Sequence, residues 1–425
     1  MKDLIDLKEL QEKVILIAVS TGEEDGSEAS LDELEELVST AGAVTVGRII
    51  QNRERIHPGT YLGKGKIDEV REMLWEAGAT GVVCDDELSP AQLRNLEDAL
   101  DTKVMDRTMV ILDIFASRAS TSEGKIQVEL AQLKYRAVRL VGMRNSLSRL
   151  GGGIGTRGPG EKKLETDRRL IHQRIGQLKE ELEGVKRHRE VTRQQREKNF
   201  ALTAAIVGYT NAGKSTLLNR LTGAGILAED KLFATLDPTT RSYVMEDGQQ
   251  ILLTDTVGFI RKLPHHLIEA FKSTLEEARY SDIILHVVDC VSPQMDMQMH
   301  VVRETLRELE IVDKTVVTVF NKTDRLCETE GTDGTMRQLP RDFSSDYQVR
   351  ISARTGEGLD ELEKVFQAII RSRRIFLEKV FPYSQAGRIQ TIRKYGQLLE
   401  EEYTDDGIAV KAYVPAELFA GLYSE

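Results

Sequence analysis

The chain has 425 residues, and at about 150 residues per domain this length predicts roughly three domains. Hydrophobic residues make up 40% of the sequence and charged residues 30%, a composition that indicates a globular protein and excludes extensive disorder. The net charge of -11 is unevenly distributed, because residues 118–198 contain 20 Lys and Arg against 10 Asp and Glu and the remainder therefore carries -21.

The first hundred residues predict a small α/β domain, assigned to residues 1–117. Short apolar runs of strand length alternate with amphipathic stretches, and Ser30 is placed to cap the first helix. Thr60–Glu69 carries glycines and lysines before a helix, which leaves phosphate binding open, although a structural turn is favoured. The expected strands are Val14–Val19, Val44–Ile50 and Gly81–Cys84, and the expected helices are Ser30–Thr40, Lys66–Ala77 and Pro90–Leu100.

A helical hairpin is predicted over residues 118–199. Two heptad seams flank the glycine-rich stretch Gly151–Gly160, and an antiparallel pair of helices would bury each seam against the other. The first seam consists of Ile126, Leu130, Leu133, Ala137 and Leu140. The second consists of Leu164, Ile171, Ile175, Leu178, Leu182 and Val185, with Arg168 at one seam position.

The remaining sequence predicts two further domains. Residues 200–373 alternate buried strands with helices, as expected for a mostly parallel sheet covered on both faces. Residues 374–425 predict a small α+β domain with a hairpin turn at Asp405-Asp406-Gly407. The predicted fold class is therefore α/β: a P-loop domain preceded by a small α/β domain with a helical hairpin and followed by a small α+β domain.

The sequence GYTNAGKS follows a predicted strand and precedes a predicted helix, which is the context of a phosphate-binding P-loop. Glycines allow backbone N–H groups to converge on phosphate oxygens, Lys214 would reach the β and γ phosphates, and the Ser215 hydroxyl would ligate Mg²⁺. The complete loop consists of Gly208, Tyr209, Thr210, Asn211, Ala212, Gly213, Lys214 and Ser215.

The base specificity follows from Asn321, Lys322, Thr323 and Asp324, which come after a buried strand. The Asp324 carboxylate can accept hydrogen bonds from N1 and the 2-amino group of guanine, whereas adenine offers no matching donors. The motif therefore predicts GTP and GDP as ligands. The later tripeptide Ser352, Ala353 and Arg354 can offer backbone N–H groups to the guanine oxygen.

Between these motifs, DTVG lies at the end of a predicted strand. The Asp255 carboxylate suits Mg²⁺, usually through water, and the N–H of Gly258 can contact the γ-phosphate. The motif comprises Asp255, Thr256, Val257 and Gly258.

These four motifs in this order resemble translation-factor-like GTPases. Together with FATLDPTTR, YLGKGK and the glycine-rich loop, the chain more narrowly resembles the HflX family of ribosome-associated GTPases from Val44 to about Arg373. The resemblance implies a GTP phosphohydrolase with one Mg²⁺ per GTPase domain that binds the large ribosomal subunit and splits stalled or idle ribosomes.

The family pattern places the switch I segment at Phe233, Ala234, Thr235, Leu236 and Asp237. Thr235 would be the switch I ligand of Mg²⁺, although Thr239 and Thr240 carry the same hydroxyl chemistry. The residue after DTVG is Phe259, where many GTPases have a water-orienting glutamine, so another group must orient the water. Asn211 occupies the position that holds K⁺ in similar GTPases, or it only braces the loop. The expected catalytic residues are Lys214, Thr235, Gly258 and Asn211.

The hairpin tip is predicted to contact RNA, because the local charge, to which Arg136 and Arg139 contribute, is almost entirely positive while glycines permit close approach to phosphates. A solvated coiled coil is the alternative interpretation. The proposed RNA-binding residues are Arg144, Arg149, Arg157, Lys162 and Lys163.

No apolar run reaches the roughly 18 residues of a membrane span, and the N-terminus lacks the features of a signal peptide. The three cysteines are widely spaced, which argues against a disulfide framework or zinc site and favours a reducing cytoplasm. A monomer is the expected oligomeric state. Two other functions stay open from the sequence: a GTP-gated RNA-binding protein with negligible hydrolysis, and an ATP-dependent RNA remodeller.

Overall fold

The computed structural model describes residues 11–22, 26–150, 159–197, 202–223, 225, 232–233, 235–262, 275, 277–329, 339 and 341–423. The chain divides into two compact units. The first comprises Met1–Val185, Glu229–Asp237 and Gly258–Thr274, and the second comprises Lys186–Ala228, Pro238–Val257 and Leu275–Glu425.

A parallel four-stranded sheet forms the centre of the first unit, in the order β2-β1-β3-β4. Its strands are β1 (Lys13–Ser20), β2 (Val44–Asn52), β3 (Gly81–Cys84) and β4 (Lys103–Asp106). The helices are α1 (Ser27–Thr40), α2 (Lys64–Ala77), α3 (Pro90–Leu100) and α4 (Arg107–Arg118). The predicted strands and helices are therefore confirmed with small changes in their ends, while β4 and α4 are additions that the sequence analysis missed.

The expected cap at Ser30 is wrong. Helix α1 begins at Ser27 after Gly26, whose φ of 71° is left-handed. The Ser30 hydroxyl instead lies 2.9 and 2.7 Å from the two carboxylate oxygens of Asp85. Because Asp85 is fully buried, it requires donors from the surrounding elements, and this need outweighs capping.

The hairpin helices are α5 (Ser122–Leu150) and α6 (Pro159–Glu197). Arg174 of α6 pairs with Glu129 of α5 at 2.8 Å, while Ile171 of α6 lines a cavity together with the later α5 residues Gln132 and Tyr135. Later residues of α6 therefore lie next to earlier residues of α5, which confirms the antiparallel arrangement.

Helix α5 buries residues outside the predicted heptad seam as well as residues within it. Val128, Ala131 and Tyr135 lie outside the seam and are buried, because α5 also packs against α3 and α4. The buried Asp106 at the end of β4 accepts hydrogen bonds from Tyr135 at 2.5 Å and Arg139 at 2.6 Å. The base of the hairpin is therefore part of the hydrophobic core of the first unit.

The second unit contains a six-stranded sheet in the order β10-β9-β8-β5-β7-β6, parallel except for β6. Its strands are β5 (Leu202–Gly208), β6 (Thr239–Val244), β7 (Gln250–Asp255), β8 (Ile283–Asp289), β9 (Thr315–Asn321) and β10 (Tyr347–Arg350). Its helices are α7 (Lys214–Thr222), α8 (Met295–Glu308) and α9 (Leu359–Ser372). The predicted mostly parallel sheet is confirmed.

An antiparallel sheet follows in the same unit, in the order β11-β13-β12. It consists of β11 (Arg374–Phe381), β12 (Gln397–Thr404) and β13 (Gly407–Pro415), with α10 (Ala386–Tyr395) and α11 (Ala416–Tyr423). These elements confirm the predicted α+β segment. Within the described part of the chain, no helix is long and apolar enough to cross a membrane.

A buried histidine lies in the central strand β8. His286 is 3% exposed, and burial together with the nearby Arg303 lowers its pKa to about 4, against the opposing effect of Asp342. Arg303 in turn donates to Asp342 at 2.7 Å. The imidazole is therefore neutral in the folded protein at neutral pH.

We predict that acid destabilises the second unit through His286. The unfolded chain binds a proton near pH 6.5 and the folded chain only near pH 4, so the free energy of unfolding decreases by roughly 3 kcal/mol over that interval. Urea unfolding monitored from pH 7 to 4 should show a weaker pH dependence in His286→Gln than in the parent. The exposed His300→Gln is the matched control, and identical pH slopes in all three proteins would contradict the prediction.

Candidate functional site

The P-loop connects β5 to α7 in the second unit, and two of its glycines are required by close contacts. A Cβ atom on Gly208 would lie 2.3 Å from the carbonyl oxygen of Val287. At Gly213 the backbone φ is 96°, and a Cβ atom would lie 2.2 Å from the Asn321 side-chain nitrogen. Both positions therefore exclude any side chain.

Lys214 lies at the start of α7 with its ammonium group inside the loop. The Nζ atom donates to the carbonyl oxygens of Gly208 at 3.2 Å and Tyr209 at 2.8 Å. Burial lowers the pKa of Lys214 to about 8, although Asp255 opposes this shift. A phosphate group near Nζ would favour the charged form.

Ser215 and Asp255 are brought together by α7 and β7. The Ser215 hydroxyl donates to the Asp255 carboxylate at 2.6 Å, and Asp255 is fully buried. The next residue, Thr256, is also buried and donates to the carbonyl oxygen of Ile206 at 2.7 Å. A hydroxyl and a carboxylate thus lie side by side beneath the loop, with Val257 buried after them.

Asn321 connects the P-loop to two later loops. Its side-chain nitrogen donates to the carbonyl oxygen of Ala212 at 2.9 Å, and its side-chain oxygen accepts from the N–H of Ala353 at 2.9 Å. Within the same group, the Asp324 carboxylate accepts from the Ser352 hydroxyl at 2.7 Å. The structure therefore brings residues from three separate motifs into one site.

The residues next to this group in the sequence also make specific contacts. Lys322 has a left-handed φ of 69°, and its ammonium lies 2.8 Å from Asp289. The N–H of Thr323 donates to the carbonyl oxygen of Ile351 at 3.2 Å. Arg354 is exposed, and its Nε lies 3.8 Å from the Asp324 carboxylate.

The predicted switch I residues belong to the first unit, except that Ala234 lies outside the described residues. Leu236 is buried and Thr235 is half-buried. Phe233 packs edge-on against Phe115 of α4, with ring centroids 4.7 Å apart. Asp237 lies at the start of α5, where burial opposes its ionisation but hydrogen bonds from Ser120 and Thr121 hold its pKa below the usual range.

The residues after Gly258 also belong to the first unit. Phe259 is 1% exposed, so its ring packs in the interior. Lys262 has a left-handed φ of 51°, and its Nζ donates to Asp85 at 2.5 Å and Asp86 at 2.7 Å. This acidic pair was not predicted, although two carboxylates directly after a buried strand were a usable signal.

The predicted RNA-binding residues are only partly placed. Four lie within α5 or α6 but have side chains that the structure does not describe, and Arg157 lies outside the described residues. Those within the helices are Arg144, Arg149, Lys162 and Lys163. Arg139, which contributed to the expected positive charge, is instead committed to Asp106 and lies 3.8 Å over the Tyr135 ring.

Family models match three consecutive segments of the chain. Residues 28–116 match a model described as "GTP-binding GTPase N-terminal", and residues 118–196 match "GTP-binding GTPase Middle Region". Residues 203–322 match "50S ribosome-binding GTPase".

Three curated relatives, each named "GTPase HflX", extend the comparison. The Lacrimispora saccharolytica protein is 74% identical, with 99% of this chain and 98% of the relative covered. The Caldanaerobacter subterraneus protein is 48% identical with 96% and 92% covered, and that of Escherichia coli K12 is 42% identical with 97% and 95% covered. The predicted resemblance is thereby confirmed, and the chain belongs to the HflX family of GTPases.

Proposed function

We propose that this GTPase binds the large ribosomal subunit through the α5–α6 hairpin and separates stalled or idle ribosomes into subunits. The observation that carries the proposal is the antiparallel hairpin itself, which extends a basic segment from the core of the first unit. The matched description "50S ribosome-binding GTPase" supports the same partner. Salt-dependent attraction to phosphates would supply much of the affinity.

A single Mg²⁺ ion would be held by Ser215 and Asp255, with Thr235 as the ligand from switch I. The adjacent hydroxyl and carboxylate fit this ion, which prefers oxygen ligands. Bound Mg²⁺ would neutralise charge on the β and γ phosphates during hydrolysis. Lys214 and the N–H of Gly258 would bind phosphate oxygens, while the remaining P-loop residues other than Asn211 shape the loop.

The guanine base would be recognised by the carboxylate of Asp324, to which the Ser352 hydroxyl donates a hydrogen bond. Asn321 would position this carboxylate indirectly, because it connects the base loop to the P-loop. The backbone of Ser352, Ala353 and Arg354 would close the site around the guanine oxygen.

We predict that Asp324→Asn exchanges guanine preference for xanthine preference. The 2-position of xanthine is a carbonyl, which an amide can donate to, and the lost bidentate contact with guanine should cost roughly 2 to 3 kcal/mol of GTP binding. Titration with fluorescent GTP and XTP measures the exchange. Asp360→Asn, in the exposed first turn of α9, is the matched control, and unchanged GTP affinity in Asp324→Asn would refute the assignment.

The buried Phe259 cannot orient the attacking water, so we propose that K⁺ bound beside Asn211 contributes to catalysis. Asn211 is exposed and has a left-handed φ of 59°, a conformation that Asn adopts more readily than most residues. A loop-bracing role for this side chain is the competing explanation.

If K⁺ is used, replacing Na⁺ by K⁺ at constant ionic strength should accelerate GTP turnover in the presence or absence of ribosomes. Asn211→Gly should remove this difference with little loss of nucleotide binding, because glycine tolerates the positive φ that alanine would strain. Phosphate release assays measure both effects. Equal rates in the two salts under both conditions would assign Asn211 to loop structure.

We predict that Arg149→Ala with Arg157→Ala weakens binding to the large subunit and preserves GTP binding. Each lost phosphate contact should reduce the slope of log affinity against log salt by about one. Co-sedimentation with separated subunits, in GTP-analogue and GDP states, measures the affinity, and sucrose gradients measure splitting of intact ribosomes.

The matched control for this experiment is Arg279→Ala with Arg307→Ala, which removes the same charge from exposed positions of the second unit. Normal ribosome binding by the hairpin variant at every salt concentration would favour the alternative interpretation, in which the hairpin is a solvated coiled coil. Binding without splitting would limit the function to ribosome association. Turnover without ribosomes would also separate an active hydrolase from a GTP-gated binding protein.

A further inference from the structure

The carboxylate of Asp237 completes the N-terminal cap of hairpin helix α5. It accepts hydrogen bonds from the N–H and hydroxyl of Ser120 at 2.9 and 2.6 Å, and from the N–H and hydroxyl of Thr121 at 2.9 and 2.5 Å. Four donors from two adjacent residues thus converge on one side chain of switch I. Its negative charge also lies at the favourable end of the helix dipole.

Thr121 is the residue that caps the helix directly. Its hydroxyl oxygen accepts from the N–H of Gly124 at 3.0 Å, while its carbonyl oxygen accepts from the N–H of Lys125 at 3.1 Å. Because the hydroxyl proton of Thr121 is given to Asp237, the oxygen lone pairs are left to face Gly124. Asp237 therefore orients the capping group as well as adding charge.

Gly124 leaves the space that this carboxylate occupies. A Cβ atom at Gly124 would lie 2.3 Å from the Asp237 carboxylate and 3.1 Å from the Thr121 hydroxyl. An alanine at this position would consequently displace Asp237. Alanine also has a higher intrinsic helix propensity than glycine, which by itself would stabilise the first turn of α5. Displacement of Asp237 would have the opposite effect, so the sign of the change separates the two.

Switch I is attached at a second point on the other side of Thr235. Phe233 packs on Phe115 while holding a left-handed φ of 55°, which costs energy for a residue with a side chain and persists only when packing enforces it. The two attachments flank Thr235 at distances of two residues each. Thr235 and Asp237 are separated by no more than about 7 Å of extended chain, so their positions are coupled.

We propose that Asp237 transmits the nucleotide state to the hairpin: closure of Thr235 on Mg²⁺ and GTP withdraws the Asp237 carboxylate from Thr121 and loosens the first turn of α5. This inference rests on the proposed role of Thr235. A residue that ligates Mg²⁺ follows the bound nucleotide, whereas the neighbours of Thr235 on either side are anchored to Phe115, Ser120 and Thr121. Linkage requires the converse effect, so a loosened cap favours GTP.

The test uses the full chain without ribosomes. Hydrogen exchange of residues 120–125 is measured by mass spectrometry with GDP and with a non-hydrolysable GTP analogue, and we expect severalfold faster exchange with the analogue. In Gly124→Ala, exchange should be fast in both states, and affinity for the analogue relative to GDP should rise about fivefold. Thr121→Ala, which removes the capping hydroxyl from the other side, should reproduce this result.

The matched control is Gly176→Ala in α6, where an added Cβ atom meets nothing within 4 Å. It should behave as the parent protein. Equal exchange of residues 120–125 in both nucleotide states would overturn the proposal. A lower analogue affinity in Gly124→Ala would also overturn it, because the contact would then prepare switch I for GTP.

A separate measurement distinguishes failure of this coupling from failure of the proposed Mg²⁺ ligand. Thr235→Ala is titrated with the analogue in the presence and absence of Mg²⁺. If Mg²⁺-dependent affinity is unchanged, Thr235 is not the ligand and the premise fails. If that affinity falls while residues 120–125 never respond to nucleotide in the parent, the coupling alone is wrong.

Discussion

Buried carboxylates at the carboxyl ends of parallel strands organise both compact units. Asp85 follows β3, Asp106 ends β4 and Asp255 ends β7, and each is fully buried. An ionised carboxylate without partners in the interior is strongly unfavourable, so each must collect donors from other elements. The residues around these groups are consequently held by hydrogen bonds as well as by packing.

In the first unit, this requirement brings distant residues together. Asp85 pairs with the buried Arg107 at 2.9 Å and with Lys262, which is 177 positions away in the sequence. Asp106 accepts from Tyr135 and Arg139 and so fastens the hairpin helix to the sheet. The segment after DTVG and the base of the hairpin are therefore both attached to one small sheet by charge pairing.

In the second unit, the nucleotide site depends on a single amide side chain. Asn321 bridges Ala212 and Ala353, and it lies so close to Gly213 that no other residue fits there. The phosphate loop and the base loop are thus held in a common arrangement by hydrogen bonds within the protein. Preorganisation of this kind reduces the entropy lost on binding.

The sequence alone determined the local chemistry. Gly213, Lys214 and Ser215 could be recognised because a P-loop is a contiguous string whose function follows from backbone conformation, and the strands could be recognised because buried parallel strands are continuous apolar runs. The antiparallel hairpin followed from heptad spacing in the same way. These features depend on neighbours within a few residues, so they are visible without a fold.

Only the tertiary structure decided how side chains far apart in sequence share donors and acceptors. Ser30 was expected to cap a helix but donates a hydrogen bond to Asp85. Arg139 was expected to add positive charge to the hairpin but donates to Asp106. Asp237 was expected in switch I, and its hydrogen bonds from Ser120 and Thr121 could not be read from the sequence. Each outcome reflects the cost of leaving a buried or half-buried carboxylate unsatisfied, which depends on three-dimensional proximity that no local sequence pattern records.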